Sequence, residues 1–201
     1  LPLVVATSED ASDDPIAKFC DENKVSCFRG SLDNVMLRFI KCGRNFGFDY
    51  LVRVGGDDPL IDPNCCNNLV ALNSENPHDF MFASNRAGWP YGTAAELISL
   101  TALERAHALT DVAFHLEHII PYFHENPDCF SIRKVFATEE ICRPEYALTV
   151  DYPEDMQLIR RIFRELKLEG DYFPLARVIK LLDEKNELRL INQHLHDGFD
   201  R

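Results

Sequence analysis

The residues best suited to chemistry in this sequence lie where apolar runs stop at an aspartate. In Val52-Arg53-Val54-Gly55-Gly56-Asp57-Asp58-Pro59-Leu60-Ile61-Asp62-Pro63, a strand-like run meets two glycines, two aspartates and a proline. Glycines allow close backbone approach. A carboxylate beside them suits a hard cation such as Mg²⁺, which takes one or two protein carboxylates and fills its shell with water and phosphate oxygens. Asp57 is therefore a candidate metal ligand; the competing reading is a polar turn capping the helix that follows Pro63. Leu148-Thr149-Val150-Asp151-Tyr152-Pro153-Glu154-Asp155-Met156 repeats the design. There Asp151 is either a second ligand or the N-cap of a helix opened by Pro153, with Glu154 completing the cap.

Other residues offer weaker signals. Arg29 follows the short apolar run Ser26 to Phe28 and precedes Gly30-Ser31. It can meet a phosphate or nucleoside, or sit on the surface beside a helix start. Ala6-Thr7-Ser8 ends the first apolar run, a position where sheets of this kind place ligand loops. Asn85, Arg86, Tyr91 and Glu96 occupy a stretch marked by Gly and Pro that also reads as a surface loop. His115 and His118 share a helical face around Glu117, a zinc-compatible spacing, but no third ligand accompanies them and the pattern is not HExxH. His194 and His196 read as solvated tail.

The elements that must position these residues alternate. Val4 to Ala6, Ser26 to Phe28 and Tyr50 to Val54 are strand-like, separated by helical stretches from Pro15 to Asn23 and from about Asp33 to Phe46. That β-α-β-α-β order predicts a parallel sheet with helices on both faces and ligand sites at the carboxyl ends of the strands. Further on, Pro63 to Ser74, Leu100 to Ala108 and Val112 to Phe123 read as helices, the last kinked or ended by Pro121. Phe80 to Ala83 and Glu96 to Ile98 read as strands. Cys129 to Val135 and Ala147 to Val150 read as late strands, antiparallel edges among the options. From Pro153, residues Met156, Ile159, Ile162, Phe163 and Leu166 keep helical spacing, and Leu175 to Leu182 forms a second helix. The polar stretch Asn192 to Arg201 is expected to fray. One domain, residues 1–168, with a helical extension and tail at 169–201, accommodates the pattern.

Composition narrows the partners. A chain of 201 residues with 46% hydrophobic content can bury a substantial core. A net charge of -12 and a pI near 5.0 disfavour nucleic acid as a partner. Seven cysteines without a CxxC spacing point to reduced thiols, and no apolar stretch has the length of a membrane span, so a cytoplasmic location is expected. The chain opens at Leu1 directly in an apolar run, which suggests that further sequence precedes it.

Taken in order, Val5-Ala6-Thr7-Ser8, Asp13-Asp14-Pro15, Phe28-Arg29-Gly30-Ser31 with Asp33-Asn34-Val35, Arg53 with Gly56-Asp57-Asp58-Pro59-Leu60-Ile61-Asp62, Pro90-Tyr91-Gly92 with Glu96, Glu117-His118, and Asp151-Tyr152-Pro153-Glu154-Asp155 form a set. In that set the chain resembles the spore coat polysaccharide biosynthesis protein F type of cytidylyltransferase. That branch is related to the acylneuraminate, pseudaminate and deoxyoctulosonate cytidylyltransferases. The resemblance implies a nucleotide-diphospho-sugar transferase-like, Rossmann-like α/β sheet. It implies Mg²⁺ held by Asp57 and Asp151 against a CTP-like nucleotide, and Arg29 is a third catalytic candidate. Ala6, Thr7, Ser8, Arg29 and Gly56 would contact the nucleotide. Asn85, Arg86, Tyr91, Glu96, Glu117 and His118 would line the side that takes a sugar or sugar acid. The implied reaction is attack of a sugar hydroxyl on the α-phosphate of CTP with loss of pyrophosphate. Relatives are often dimers, and Trp89 to Leu97 or Val112 to Phe123 are the segments that could supply a homodimer interface.

The family's opening strand and its ARxxSxRLPGK phosphate loop have no counterpart, so the first strand of the sheet is expected to be missing from these residues. Two alternatives stay open at this point. One is a non-catalytic remnant or interaction module of the same fold; the other is a glycosyltransferase that uses a nucleotide sugar.

Overall fold

Apolar runs of strand length alternate with stretches of helical period. The structure is a computed structural model that describes residues 1–167 and 174–196. In chain order the first elements are β1 (Val4–Ser8), α1 (Asp14–Glu22), β2 (Ser26–Gly30), α2 (Val35–Phe46), β3 (Tyr50–Arg53), α3 (Pro63–Glu75), β4 (Phe80–Ala83) and β5 (Glu96–Ser99). Then come α4 (Leu100–Leu109), α5 (Ala113–Glu117), α6 (Ile119–Glu125), β6 (Ile132–Val135), α7 (Pro153–Leu166), α8 (Leu175–Glu184), α9 (Asn186–Arg189) and α10 (Gln193–His196). β1 and β2 run parallel, with Val4 opposite Ser26 and Ser8 opposite Gly30. The other four strands take the order β3-β5-β4-β6. Neighbours that are not consecutive require crossovers, so the chain is the mixed α/β fold of mostly parallel strands flanked by helices that its pattern predicts.

The chain forms two compact units. The first comprises Leu1–Leu51, His78–Phe80 and Ile98–Ile132. Its helices begin and end at residues chosen for the purpose: the Asn34 side chain accepts from the Leu37 amide at 2.8 Å, and Gly47 closes α2 at φ 70°. Gly43 lets α2 approach α4, since a Cβ there would come within 2.8 Å of Leu100 Cδ1. Phe80 stacks on Phe123 at 4.8 Å, and Phe123 meets Phe130 edge-on at 4.7 Å. The single helix expected over Val112 to Phe123 is instead α5 and α6, broken at His118, which has φ -102° and ψ 84°. Pro121 breaks nothing. It is the third residue of α6, in the first turn, where an amide hydrogen has no helical partner to lose.

The second unit comprises Val52–Pro77, Met81–Leu97 and Arg133–Arg201. Its core gathers Leu60, Leu69, Met81, Leu97, Leu148 and Leu158 with Val178, Leu182 and Leu188, so α8 and α9 share one core with α7. The boundary expected at residue 168 falls outside the described residues. Trp89 and Leu97, offered above as ends of an interface segment, are buried in this core, and Trp89 Nε1 donates to the Val135 carbonyl at 3.0 Å.

Three segments depart from the pattern that the sequence predicts. Ala147 to Val150 is no strand: it makes one isolated bridge, Tyr91 to Ala147, and that bridge is parallel rather than antiparallel. The late strand expected from Cys129 begins at Ile132, because Pro127–Cys129 winds into a 3₁₀ turn. Asn192 and His196, read as fraying tail, are buried; residues 197–201 lie outside the described chain. The cysteines are free thiols, and among the described residues no helix is long and apolar enough to cross a membrane.

Candidate active site

In the second unit, β3 ends at Arg53 and the chain turns through Gly55 and Gly56 into Asp57 and Asp58. Gly55 is the glycine this turn requires. A Cβ there would lie 2.3 Å from Asp57 Oδ1 and 2.6 Å from Asp58 Oδ2, so both carboxylates crowd over its bare backbone. At Gly56 a Cβ would meet nothing within 4 Å. The alternative role of capping the next helix falls to a different residue: Asp62 caps α3, its side chain accepting from the Asn64 amide at 3.0 Å. Asp57 is thereby left exposed, and no described residue donates to its carboxylate.

The segment before α7 meets this turn through its backbone. The Val150 amide donates to the Asp57 carbonyl at 2.9 Å, and Thr149 Oγ1 lies 3.5 Å from the same oxygen. Asp151 is not the N-cap of α7. Tyr152 holds that position, and Asp155 reaches back to accept from the Asp151 and Tyr152 amides at 3.0 and 2.9 Å. The Asp151 carboxylate is exposed and accepts no hydrogen bond from a described residue.

Three carboxylates therefore gather. Burial first, then the charge of Asp57, pushes the Asp58 carboxyl up to about 6; Asp151 adds to the push, while a bond from Thr149 and the charge of Arg53 oppose it. Burial and the charge of Asp57 likewise raise Asp151. Nearby, Arg53 pairs with Glu96 at 3.1 Å, and burial keeps Glu96 above its ordinary range despite that partner. An exposed, oxygen-only donor set with unrelieved repulsion fits a hard divalent cation. Among the described residues no group of three or more His, Cys, Asp or Glu side chains is placed to hold a metal ion, so any ion here would rest on Asp57 and Asp151 as a pair, with water or phosphate oxygens as its other ligands.

The remaining candidates of this unit have definite places. The Asn85 side-chain amide donates to the Trp89 carbonyl at 3.2 Å and to that of Pro144, which commits it to holding the Pro90-Tyr91-Gly92 turn. Arg86 is exposed in the 3₁₀ turn Asn85–Ala87. Tyr91 is half-exposed, its ring 6.4 Å from that of His196, and the Tyr152 ring lies 6.0 Å from His196 on the Asp151 side.

In the first unit, Ala6, Thr7 and Ser8 end β1, and Asp13 gathers the loop beyond by accepting from Thr7 Oγ1 at 2.8 Å and the Ser8 amide at 2.9 Å. Those bonds hold the Asp13 carboxyl at about 2. Arg29 clamps the same loop: it donates to the Ser8 carbonyl at 2.8 Å, the Asp10 carbonyl at 2.8 Å and Asp14 Oδ1 at 2.7 Å. Its guanidinium is thus engaged by the loop itself. Glu117 ends α5 and His118 is the break before α6, both exposed. His115 has both ring nitrogens engaged, by Thr110 at 3.1 Å and Glu125 at 2.9 Å, which removes the zinc pairing.

Sequence reasoning did not single out Asp58, Gly55, Asp155 or His196 as site residues. Asp58 could have been found from its neighbour Asp57, whereas His196 left no local signal at all.

Comparisons with known proteins agree with one another. Residues 2–190 match the family described as cytidylyltransferase. The chain is 27% identical over 193 residues to an uncharacterised protein of Methanocaldococcus jannaschii, covering 96% of this chain and 77% of that one. It is 28% identical over 166 residues to the spore coat polysaccharide biosynthesis protein SpsF of Bacillus subtilis, covering 81% and 67%. Among solved structures it is similar to a cytidylyltransferase from Leptospira borgpetersenii serovar Hardjo-bovis, with a TM-score of 0.86, 26% identity and coverage of 92% and 77%. CMP:2-keto-3-deoxy-manno-octonic acid synthetase, solved with CTP, shares the fold at a TM-score of 0.57, 13% identity and coverage of 83% and 82%.

Proposed function

Because the chain belongs to the cytidylyltransferase family, we propose that it transfers the cytidylyl group of CTP to a hydroxyl of a sugar or sugar acid, with release of pyrophosphate. Asp57 and Asp151 hold Mg²⁺ for this reaction. The observation that carries the reading is the bond from the Val150 amide to the Asp57 carbonyl, which brings two exposed carboxylates from distant segments within electrostatic reach. Bound there, Mg²⁺ would neutralise charge on the phosphate oxygens.

The chain's own contribution is position and field. Asp57 and Asp151 orient the cation, and Gly55 leaves room for the carboxylates above it. Asp58 adds negative charge from a half-buried place, while Arg53 and Glu96 brace the strand ends below. In the first unit, Asp13 and Arg29 order the loop that follows β1, and Thr7 and Ser8 are buried with their polar groups turned to that loop. Tyr91 offers an exposed ring to the acceptor. Similarity to a protein named for spore coat polysaccharide biosynthesis supports an acceptor of the carbohydrate class.

The test is pyrophosphate release from CTP and Mg²⁺ with a panel of sugars and sugar acids. Turnover with one of them, lowered about 100-fold or more by Asp57→Ala or Asp151→Ala, supports the reading. Full-rate release with both aspartates replaced overturns the metal assignment. Consumption of a nucleotide sugar without pyrophosphate would mark a glycosyltransferase instead.

A further inference from the structure

One carboxylate ties the end of the described chain to the Asp151 loop. Asp155 is fully buried, and four groups bind it. Its Oδ2 accepts from the Asp151 and Tyr152 amides. Its Oδ1 accepts from Asn192 Nδ2 at 2.7 Å and lies 2.9 Å from His196 Nε2. Three N–H donors, the two amides and Asn192 Nδ2, already meet this carboxylate, so Asp155 acts as the acceptor throughout and His196 Nε2 is the donor in the fourth bond. The second amide hydrogen of Asn192 goes to the Ala147 carbonyl at 3.0 Å, so Asn192 grips the chain on both sides of Asp151.

A buried carboxylate with donors on both oxygens cannot turn about its own axis without breaking bonds. Removing the donors to Oδ1 leaves that oxygen buried and unpaired, a state the group escapes by rotating or shifting, and Oδ2 then releases the two amides. We propose that Asn192 and His196 are positioning residues for the cation site, acting through Asp155 to fix the backbone of Asp151 and hence the direction of its carboxylate. The proposal rests on the reading of Asp151 as a cation ligand.

The experiment uses the full chain and three variants: Asn192→Ala with His196→Ala, the conservative His196→Gln, and Leu188→Ala. Leu188 is fully buried in the same core and has no contact with Asp155 among its hydrogen bonds, so its variant controls for lost stability. Two quantities are read well below each variant's melting point: Mn²⁺ affinity in the presence of CTP, and hydrogen exchange of the Asp151 and Tyr152 amides in metal-free protein. The expected result is Mn²⁺ affinity about 10-fold or more weaker and faster exchange at both amides in the double variant. Leu188→Ala should change neither, and His196→Gln should recover most of both. Unchanged affinity and exchange in the double variant, or equal changes in Leu188→Ala, overturn the proposal. If Asp151→Asn binds Mn²⁺ as tightly as the unaltered chain, the metal reading itself fails and the proposal falls with it, an outcome read on a different variant.

Discussion

The Val150 amide donates to the Asp57 carbonyl oxygen at 2.9 Å, so the residue preceding one candidate ligand is fastened to the other. The site's geometry is therefore a backbone property, set before either carboxylate is placed. Side-chain changes at the aspartates should remove cation binding and leave the turn intact, whereas changes in the backbone around them should disturb both.

Gly55 separates these effects. A Cβ at Gly55 would displace the ends of the Asp57 and Asp58 side chains, which can swing away at little cost, whereas Gly56 faces open space. Gly55→Ala should melt within a few degrees of the unaltered protein yet lose Mg²⁺-dependent CTP binding about 10-fold or more. Gly56→Ala should keep its stability. Equal CTP binding in Gly55→Ala would count against the crowding argument.

Gly92 is expected to behave oppositely. It has φ +83°, and a Cβ would lie 2.4 Å from the Thr149 amide nitrogen and 2.8 Å from the Leu148 carbonyl carbon, which are backbone atoms that cannot swing aside. Gly92→Ala should cost about 2 kcal/mol or more in urea unfolding and disturb the bridge between Tyr91 and Ala147. A cost below about 0.5 kcal/mol would show that the Leu148–Thr149 backbone moves freely.

Asp58 predicts a pH dependence. Its carboxyl stands near 6 in the folded chain against an ordinary 3.8, so the stability linked to it is complete below the lower value and is lost as pH rises through the upper one. Metal-free protein should lose roughly 3 kcal/mol at most from this group across that window, with Asp62, Glu96 and Asp151 shifted in the same direction. Asp58→Asn should raise the melting temperature at neutral pH and flatten the profile. A variant less stable than the parent at neutral pH would contradict the repulsion.

Arg29 distinguishes charge from shape. If its role were to offer a cation to phosphate, Arg29→Lys would be mild. The structure has it satisfy the carbonyls of Ser8 and Asp10 and the Asp14 carboxylate at once, a fork that lysine lacks. Arg29→Lys should therefore weaken CTP binding nearly as much as Arg29→Ala, and nucleotide titration of both variants decides between the two roles.

Much of this was legible in the sequence because it was local. Runs ending in Asp57 and Asp151, proline at helix starts, and the end of α2 at Phe46 each depend on a few neighbouring residues. What the sequence hid was decided at long range. His196 looked like solvated tail because nothing beside it marks the buried Asp155 it binds. Asp151 looked like a cap because Pro153 follows it, yet Asp155 does the capping from inside the helix. Ala147 to Val150 looked like a strand from its apolar run, but it pairs at one residue and spends the Val150 amide on Asp57. Arg29 looked available, and only the folded loop shows its three acceptors.

The central claim, that Asp57 and Asp151 form one cation site, is tested most directly by titrating CTP with and without Mg²⁺ into the unaltered chain, Asp57→Asn, Asp151→Asn and the double variant. The account predicts Mg²⁺-dependent affinity that either single substitution largely abolishes, with the double variant little worse than the worse single, as for two residues acting as a unit. Affinity that ignores Mg²⁺, or that survives both substitutions, would contradict it.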